Sequence, residues 1–249
     1  MKIQVEAIIF DYGNTLVLDP FEDIIKHKIK DFQNVFRKFG YSFSKRKIFS
    51  CWNEANREIN YPHITHFAQE EPIIVEALKK LNVKNQHINL ISKKFLSIYR
   101  KEWKLIYKNS KRKKELKTVL SFLKSKGKVL AILSNGRKFD VENGTKWLGV
   151  YNYFDFIISS EEIGVEKPDK KAFEYILNKL NKPPEKVVYV GDDYSKDIVP
   201  TKKLGMKAIL YIPPKKFRKS MPWRNYEINI SVEPDAKIKK LLDLMKIVC

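Results

Sequence analysis

Two rhythms of hydrophobic positions divide the chain. Near its start, Val5, Ala7, Ile8, Ile9 and Phe10 form a short apolar run that stops at Asp11. A short apolar run of this kind predicts a strand buried on both faces. Gly13 and Asn14 follow, and both tolerate left-handed backbone angles, so the chain turns there. Asp11 then stands at the carboxyl end of a central strand, the edge where open α/β sheets bind ligands. From Asp19 to about Asn109 the apolar spacing becomes helical. Ile24, Ile25, Ile29, Phe32, Val35, Phe36 and Phe39 predict one helix, stopped by Gly40. Ser44 can cap a second, which carries Ile48, Phe49, Trp52 and Ile59 and breaks at Tyr61-Pro62. Ile73, Ile74, Ala77, Leu78 and Leu81 mark a third, and Ile88, Ile91, Phe95, Ile98, Tyr99 and Trp103 a fourth. These stripes are core-forming, and no cofactor-binding motif lies among them.

From Ser110 onward helix and strand alternate. Leu116, Val119, Leu120 and Leu123 predict a helix ended by Gly127, and Lys128 to Leu133 a buried strand followed at once by Ser134-Asn135-Gly136. A helix through Val141 to Leu148 precedes a strand from Phe154 to Ile158. Lys167-Pro168-Asp169 leads into a helix bearing Ala172, Phe173, Ile176 and Leu180. Lys186 to Val190 is a strand that ends in Gly191-Asp192-Asp193, and Asp197 opens a helix through Leu204. Ala208 to Tyr211 is a strand, Ile228 and Ile230 suggest one more, and Asp235 to Val248 is expected to close the chain as a helix. Strands alternating with helices imply an α/β fold, a parallel sheet with helices on both faces. The helix-only block is an insertion after the first strand. The expected division is 1–18 with 110–249 for the α/β part and 19–109 for the helical part.

Composition narrows the setting. A chain of 249 residues with 43% hydrophobic positions can bury a sizeable core. No apolar run is long enough to span a membrane, and the N-terminal run is too short for a signal peptide. Cys51 and Cys249 are isolated, which argues against a disulfide framework or zinc site and for a cytoplasmic protein. The formal charge of +20 admits three explanations: attraction of small anionic substrates, a Lys- and Ile-rich surface of thermophile type, or nucleic-acid binding. The basic runs at Lys111-Arg112-Lys113-Lys114 and Lys215-Lys216-Phe217-Arg218-Lys219 have no nucleic-acid-binding motif beside them. They read as solvated faces, and nucleic acid ranks last. The oligomeric state is not legible.

Polar groups collect at four points along one edge of the predicted sheet: Asp11 with Thr15, Ser134 with Asn135, Lys167, and Asp192 with Asp193 and Asp197. Each has a bland alternative as a cap, a turn or a surface lysine. Together they supply a carboxylate nucleophile, hydroxyl and amide donors, one cation and a second carboxylate group. Aspartates from two strand ends suit a hard cation such as magnesium, and lysine with magnesium can neutralise a phosphoryl group in transfer.

The order and spacing of these motifs resemble the haloacid dehalogenase-like hydrolase superfamily. Asp11-Tyr12-Gly13-Asn14-Thr15 matches its first motif, Ser134-Asn135 its second, Lys167-Pro168 its third, and Gly191-Asp192-Asp193-Tyr194-Ser195-Lys196-Asp197 its fourth. The resemblance implies a Rossmann-like core with an inserted α-helical cap. It also implies an aspartyl-phosphate formed on Asp11, with magnesium held by Asp11, the Gly13 carbonyl and Asp192, and Asp193 or Asp197 one step further out. Ser134 and the Asn135 backbone would hold phosphate oxygens, Lys167 would neutralise Asp11 and the phosphoryl group, and Thr15 would orient the first loop.

One departure stands out. Phosphatases of this family usually place a second aspartate two residues after the nucleophile, as acid for the leaving group and base for water. Here that position is Gly13. Losing a general acid costs about 10²–10⁴ in rate. The expected function is magnesium-dependent phosphoester hydrolysis of a small phosphorylated metabolite. The alternatives are a 2-haloacid dehalogenase, whose second motif Leu133-Ser134-Asn135-Gly136 resembles, and a catalytically weak phosphate-binding protein. Like charges at Asp192, Asp193 and Asp197 repel without a cation, which favours the phosphatase. A substitute acid would have to come from His63, His66, Glu70, Glu71, Asp19 or Glu22. Each has a plain role in a loop or a first helical turn.

Overall fold

The computed structural model describes residues 2–18, 20–60, 70–215 and 232–249. The chain divides into two compact units, Met1–Asp19 with Ser110–Cys249, and Pro20–Asn109. The second unit holds α1 (Phe21–Lys38), α2 (Lys45–Asn60), α3 (Glu70–Lys80) and α4 (Asn85–Lys108). Ser44 caps α2 as its sequence suggests, accepting from the Lys47 N–H at 3.2 Å. The apolar stripes meet in an aromatic core in which Trp52 stacks on Phe95, with Phe32 and Phe36 against the same ring. Glu70 and Glu71 lie in the first turn of α3, and Glu22 pairs with Lys26 at 2.8 Å within α1. Asp19, the Tyr61-Pro62 break, His63, His66, the basic run over 216–219 and the strand expected at Ile228 and Ile230 lie outside the described residues.

The first unit is built on six parallel strands: β1 (Ala7–Phe10), β2 (Val129–Ser134), β3 (Phe156–Ser159), β4 (Val187–Gly191), β5 (Lys207–Tyr211) and β6 (Ala236–Ile238). Their order across the sheet is β3-β2-β1-β4-β5-β6. Among the described residues its helices are α5 (Arg112–Ser125), α6 (Lys138–Leu148), α7 (Ser160–Ile163), α8 (Lys170–Leu180), α9 (Val199–Lys203) and α10 (Leu244–Ile247). Strand residues alternate between faces. Ala7, Ile9, Ala131, Leu133, Val187 and Tyr189 pack with Phe173 and Ile176 of α8 on one side. Ile8, Phe10, Leu130, Ile132, Val188 and Val190 point to the other and are equally buried. Such burial on both faces explains why β1 and β4 read as near-continuous apolar runs. The chain builds outward from β1 through β2 to β3, then resumes on its other flank at β4. The topological switch point therefore falls between β1 and β4, and a ligand crevice belongs beyond their carboxyl ends. Among the described residues no helix is long and apolar enough to cross a membrane.

Three local expectations are corrected. Residues 235–248 are not one helix: β6 pairs with β5, a 3₁₀ turn follows at Leu241–Asp243, and only α10 is helical. Asp235 explains this, because its carboxylate accepts from the Ala208 N–H and its own N–H donates to the Ala208 carbonyl, both at 2.8 Å. The chain is thereby drawn alongside β5 before a helix can start. Asp197 does not open a helix either. Tyr194–Ile198 is a π-helical turn capped by Asp193, whose Oδ1 accepts from the N–H groups of Ser195 and Lys196. Finally, Asn14 alone takes the left-handed turn after β1, at φ 59°, and Gly13 does not.

Candidate active site

Beyond the ends of β1 and β4 lies one buried ammonium group. Lys167 Nζ donates to Asp11 Oδ1 at 2.8 Å, Asp197 Oδ1 at 2.7 Å and the Tyr189 hydroxyl at 2.7 Å. A lysine has three ammonium hydrogens, so each has a partner. Tyr189 in turn donates to the Leu133 carbonyl at 3.0 Å. Burial alone would lower the lysine's pKa, but Asp11 and Asp197 outweigh it and hold the group above its ordinary value. Burial pushes the Asp197 carboxyl up to about 7 against the pull of Lys167, with Asp11, Asp193 and Asp192 adding to the rise. Burial is the largest influence on both groups: at the lysine the two carboxylates together outweigh it, and at Asp197 the one cation does not.

Asp11, Asp192 and Asp197 are all buried, and one oxygen from each lies within 4.8 Å of the others. With one lysine against three carboxylates, the cluster carries a formal charge of −2. Buried charge in that excess is costly unless compensated. An all-oxygen set of this kind fits a hard divalent cation. Backbone shape brings the acids together. The Asp11 N–H donates to the Val190 carbonyl at 2.8 Å, so the start of the first loop is held on β4. At Gly191 a Cβ would sit 2.3 Å from Asp197 Oδ2 and 2.6 Å from its Cγ. No real Cβ tolerates such contacts, so only glycine lets the Asp197 side chain lie against the end of β4. Asp197 Oδ2 also accepts from the Asp193 N–H at 3.1 Å.

The second motif divides its labour. Ser134 is buried at the end of β2, in register with Ser159 of β3. The Asn135 carboxamide binds the Lys167 main chain both ways: its Nδ2 donates to the Lys167 carbonyl at 2.7 Å and its Oδ1 accepts from the Lys167 N–H at 2.8 Å. Its side chain is committed to the lysine. In the first loop, Thr15 Oγ1 donates to Asp11 Oδ2 at 3.4 Å. Leu16 and Val17 N–H groups both return to the Tyr12 carbonyl at 3.0 Å. Gly13 stands in open space, with no atom within 4 Å of a Cβ built on it.

Asp11, Thr15, Lys167, Asp192 and Asp197 thus come together, and Asn135 joins them through the lysine's backbone. Asp193 does not join the carboxylate cluster, because its Oδ1 caps the following turn. Two participants escape the sequence pattern. Tyr189 sits in an apolar strand and looks like core, although a hydroxyl there needs a buried partner. Arg112 sits in a basic run that reads as a solvated face, yet its guanidinium donates to the carbonyls of Thr15 and Leu16 and to the Tyr211 hydroxyl.

The haloacid dehalogenase-like hydrolase family model matches residues 8–211. A glyceraldehyde 3-phosphate phosphatase of Methanothermobacter thermautotrophicus is 39% identical over 88 residues, 35% of this chain and 39% of the relative. A second, of Methanocaldococcus jannaschii, is 33% identical over 132 residues, 53% of this chain and 54% of the relative. The match therefore spans about half or less of these curated relatives. Among solved structures, a 2-haloacid dehalogenase from Pseudomonas syringae pv. Tomato DC3000 superimposes with a TM-score of 0.64 at 20% identity, over 98% of this chain and 97% of that one. At that identity the likeness is one of fold.

Proposed function

The chain belongs to the haloacid dehalogenase-like hydrolase family, and from that premise we propose that it is a magnesium-dependent phosphatase acting on a small phosphorylated metabolite. The observation that carries this reading is the meeting of Asp11, Asp192 and Asp197 in one buried cluster crossed by Lys167. Dehalogenation needs no metal, so it would not call for Asp192 and Asp197 beside the nucleophile. The phosphatase names of two relatives point the same way.

Asp11 is the nucleophile. Its oxygen forms a bond to phosphorus as the bond to the leaving oxygen breaks, and the electron pair departs with that oxygen. Water then forms a bond to phosphorus as the Asp11–phosphorus bond breaks; the electron pair returns to the Asp11 carboxylate, and inorganic phosphate leaves with one of water's protons while the other passes to solvent. Magnesium, held by Asp11, the Gly13 carbonyl and Asp192 with Asp197 beside them, would neutralise charge on the phosphoryl oxygens. Lys167 contributes its field rather than a spare hydrogen, since all three of its donors are engaged. Ser134 and the Asn135 N–H are assigned to the phosphate oxygens, and Thr15 to orienting Asp11. We assign Pro20–Asn109 the role of cap domain and place the protein in the cytoplasm, where its two free cysteines are at home.

Gly13 narrows the substrate. With no acid at that position, an alkoxide would leave with its full charge, whereas a phenolate or carboxylate leaves readily. Aryl and acyl phosphates are therefore the favoured substrates. The test is phosphate release across a metabolite panel, with magnesium and with chelator, for the parent and Asp192→Ala. The expected result is magnesium-dependent release by the parent and weakened magnesium binding by the variant in calorimetry. Full-rate hydrolysis of 2-haloacids in chelator would overturn the assignment.

A further inference from the structure

We infer that Arg112 is a positioning residue for the reaction, acting on Asp11 through the loop that follows it. The inference rests on the phosphatase reading above and adds a residue outside the four motifs. Arg112 begins α5, at the point where the chain returns from the helical insertion. Its Nε donates to the Leu16 carbonyl at 2.8 Å, its Nη2 to the Thr15 carbonyl, and its Nη1 to the Tyr211 hydroxyl at 3.1 Å. The guanidinium also lies over the Tyr211 ring, 5.3 Å from its centre. These three nitrogens thus each hold either the loop after Asp11 or the tyrosine that braces the guanidinium.

The loop needs such a partner. Residues 12–17 close on themselves through the Tyr12 carbonyl, which takes the N–H groups of Leu16 and Val17. The carbonyls of Thr15 and Leu16 then face Arg112. Thr15 is also the residue whose hydroxyl reaches Asp11 Oδ2. A short line therefore runs from guanidinium to Thr15 carbonyl to Thr15 hydroxyl to the nucleophile. Only a planar fork with several fixed donors can hold two adjacent carbonyls and a phenol at once. A lysine at this position offers a single compact charge. Displacing a nucleophile by about 1 Å costs on the order of 10²-fold in rate. Slackening this loop should therefore cost turnover more than substrate affinity.

The experiment compares the parent, Arg112→Ala and Arg112→Lys on nitrophenyl phosphate with magnesium, alongside thermal melting. The expected result for Arg112→Ala is a fall in kcat of roughly 10–100-fold with KM changed less than threefold. Methylguanidinium should restore its rate saturably, at concentrations that leave the parent's rate unchanged. Arg112→Lys keeps the charge and the aliphatic stem, so it guards against a variant that fails to fold; it should recover only a small part of kcat. Two outcomes overturn the inference: kcat within twofold of the parent in either variant, or a loss that follows the drop in melting temperature and does not respond to methylguanidinium. If the parent itself releases no phosphate, the phosphatase reading falls and takes this inference with it. An active parent with indifferent variants sinks the role of Arg112 alone.

Discussion

The loop after β1 and the turn after β4 carry carboxylates into the same buried cluster by different means. The first runs through Gly13, where a side chain would meet no atom within 4 Å and the backbone is not left-handed. The second runs through Gly191, where a Cβ would collide with Asp197 at 2.3 Å. In sequence the two glycines look alike, each within two residues of an aspartate that ends an apolar run. One is required by its surroundings and the other is not. What the tight turn secures is the placement of Asp197 against the strand end. What the open loop leaves is room for a side chain. Gly13 is thus not a steric necessity.

Lys167 is the group that ties the two loops together, so its removal should have the largest effect. Lys167→Gln leaves Asp11 and Asp197 buried without the cation they share. Losing one partner of a buried charge network costs about 3–5 kcal/mol. Denaturant melts in chelator should show that loss, and added magnesium should return part of it by binding the folded state. A variant as stable as the parent in chelator would mean that the two loops do not depend on a shared cation. Gly191→Ala strikes the tight turn only. Overpacking of this kind costs about 1–3 kcal/mol, and displacing Asp197 should cut phosphate release by about 10²-fold. If its release stays within twofold of the parent, the contrast between the glycines fails. Gly13→Asp should be the mildest, with melting shifted by no more than about 0.5 kcal/mol. Turnover of alkyl phosphates should rise by roughly tenfold, short of what a fully positioned acid supplies. Rates plotted against leaving-group pKa for both forms give the measurement. A flat plot for the parent would show that another residue already donates the proton.

Much of the site is legible in sequence because its members stand where elements end. Asp11, Ser134 and Asp192 each close an apolar run, and Lys167 precedes a helix start, so their residue types and order suffice to suggest a crevice. The groups that hold them in place carry no such mark. Tyr189 is one aromatic in a strand of apolar residues, and only the path of its hydroxyl to Lys167 and Leu133 separates it from core. Arg112 is masked by the lysines on either side of it. The carboxylates of Asp193 and Asp197 could not be told apart by spacing, because a π-helical turn rather than an α-helix begins there. In the fold, the parallel sheet and its two apolar faces follow from the alternating pattern, whereas the order of the strands does not. The last strand does not, since three residues give too short a signal against the helical spacing of Leu241, Leu244 and Met245.

The clasp between the Asn135 carboxamide and the Lys167 main chain has a consequence for how this chain can tolerate change. Both hydrogen bonds span 32 positions of sequence, and they moor the lysine to the end of β2 rather than to the segment that delivers it. The stretch between is anchored too, since Ser159 caps α7 and Ile163 and Val165 pack against the core. Natural variants should therefore keep the interval from Asn135 to Lys167 nearly constant, because a change of length there would have to disturb either the clasp or the packed turn that leads to it.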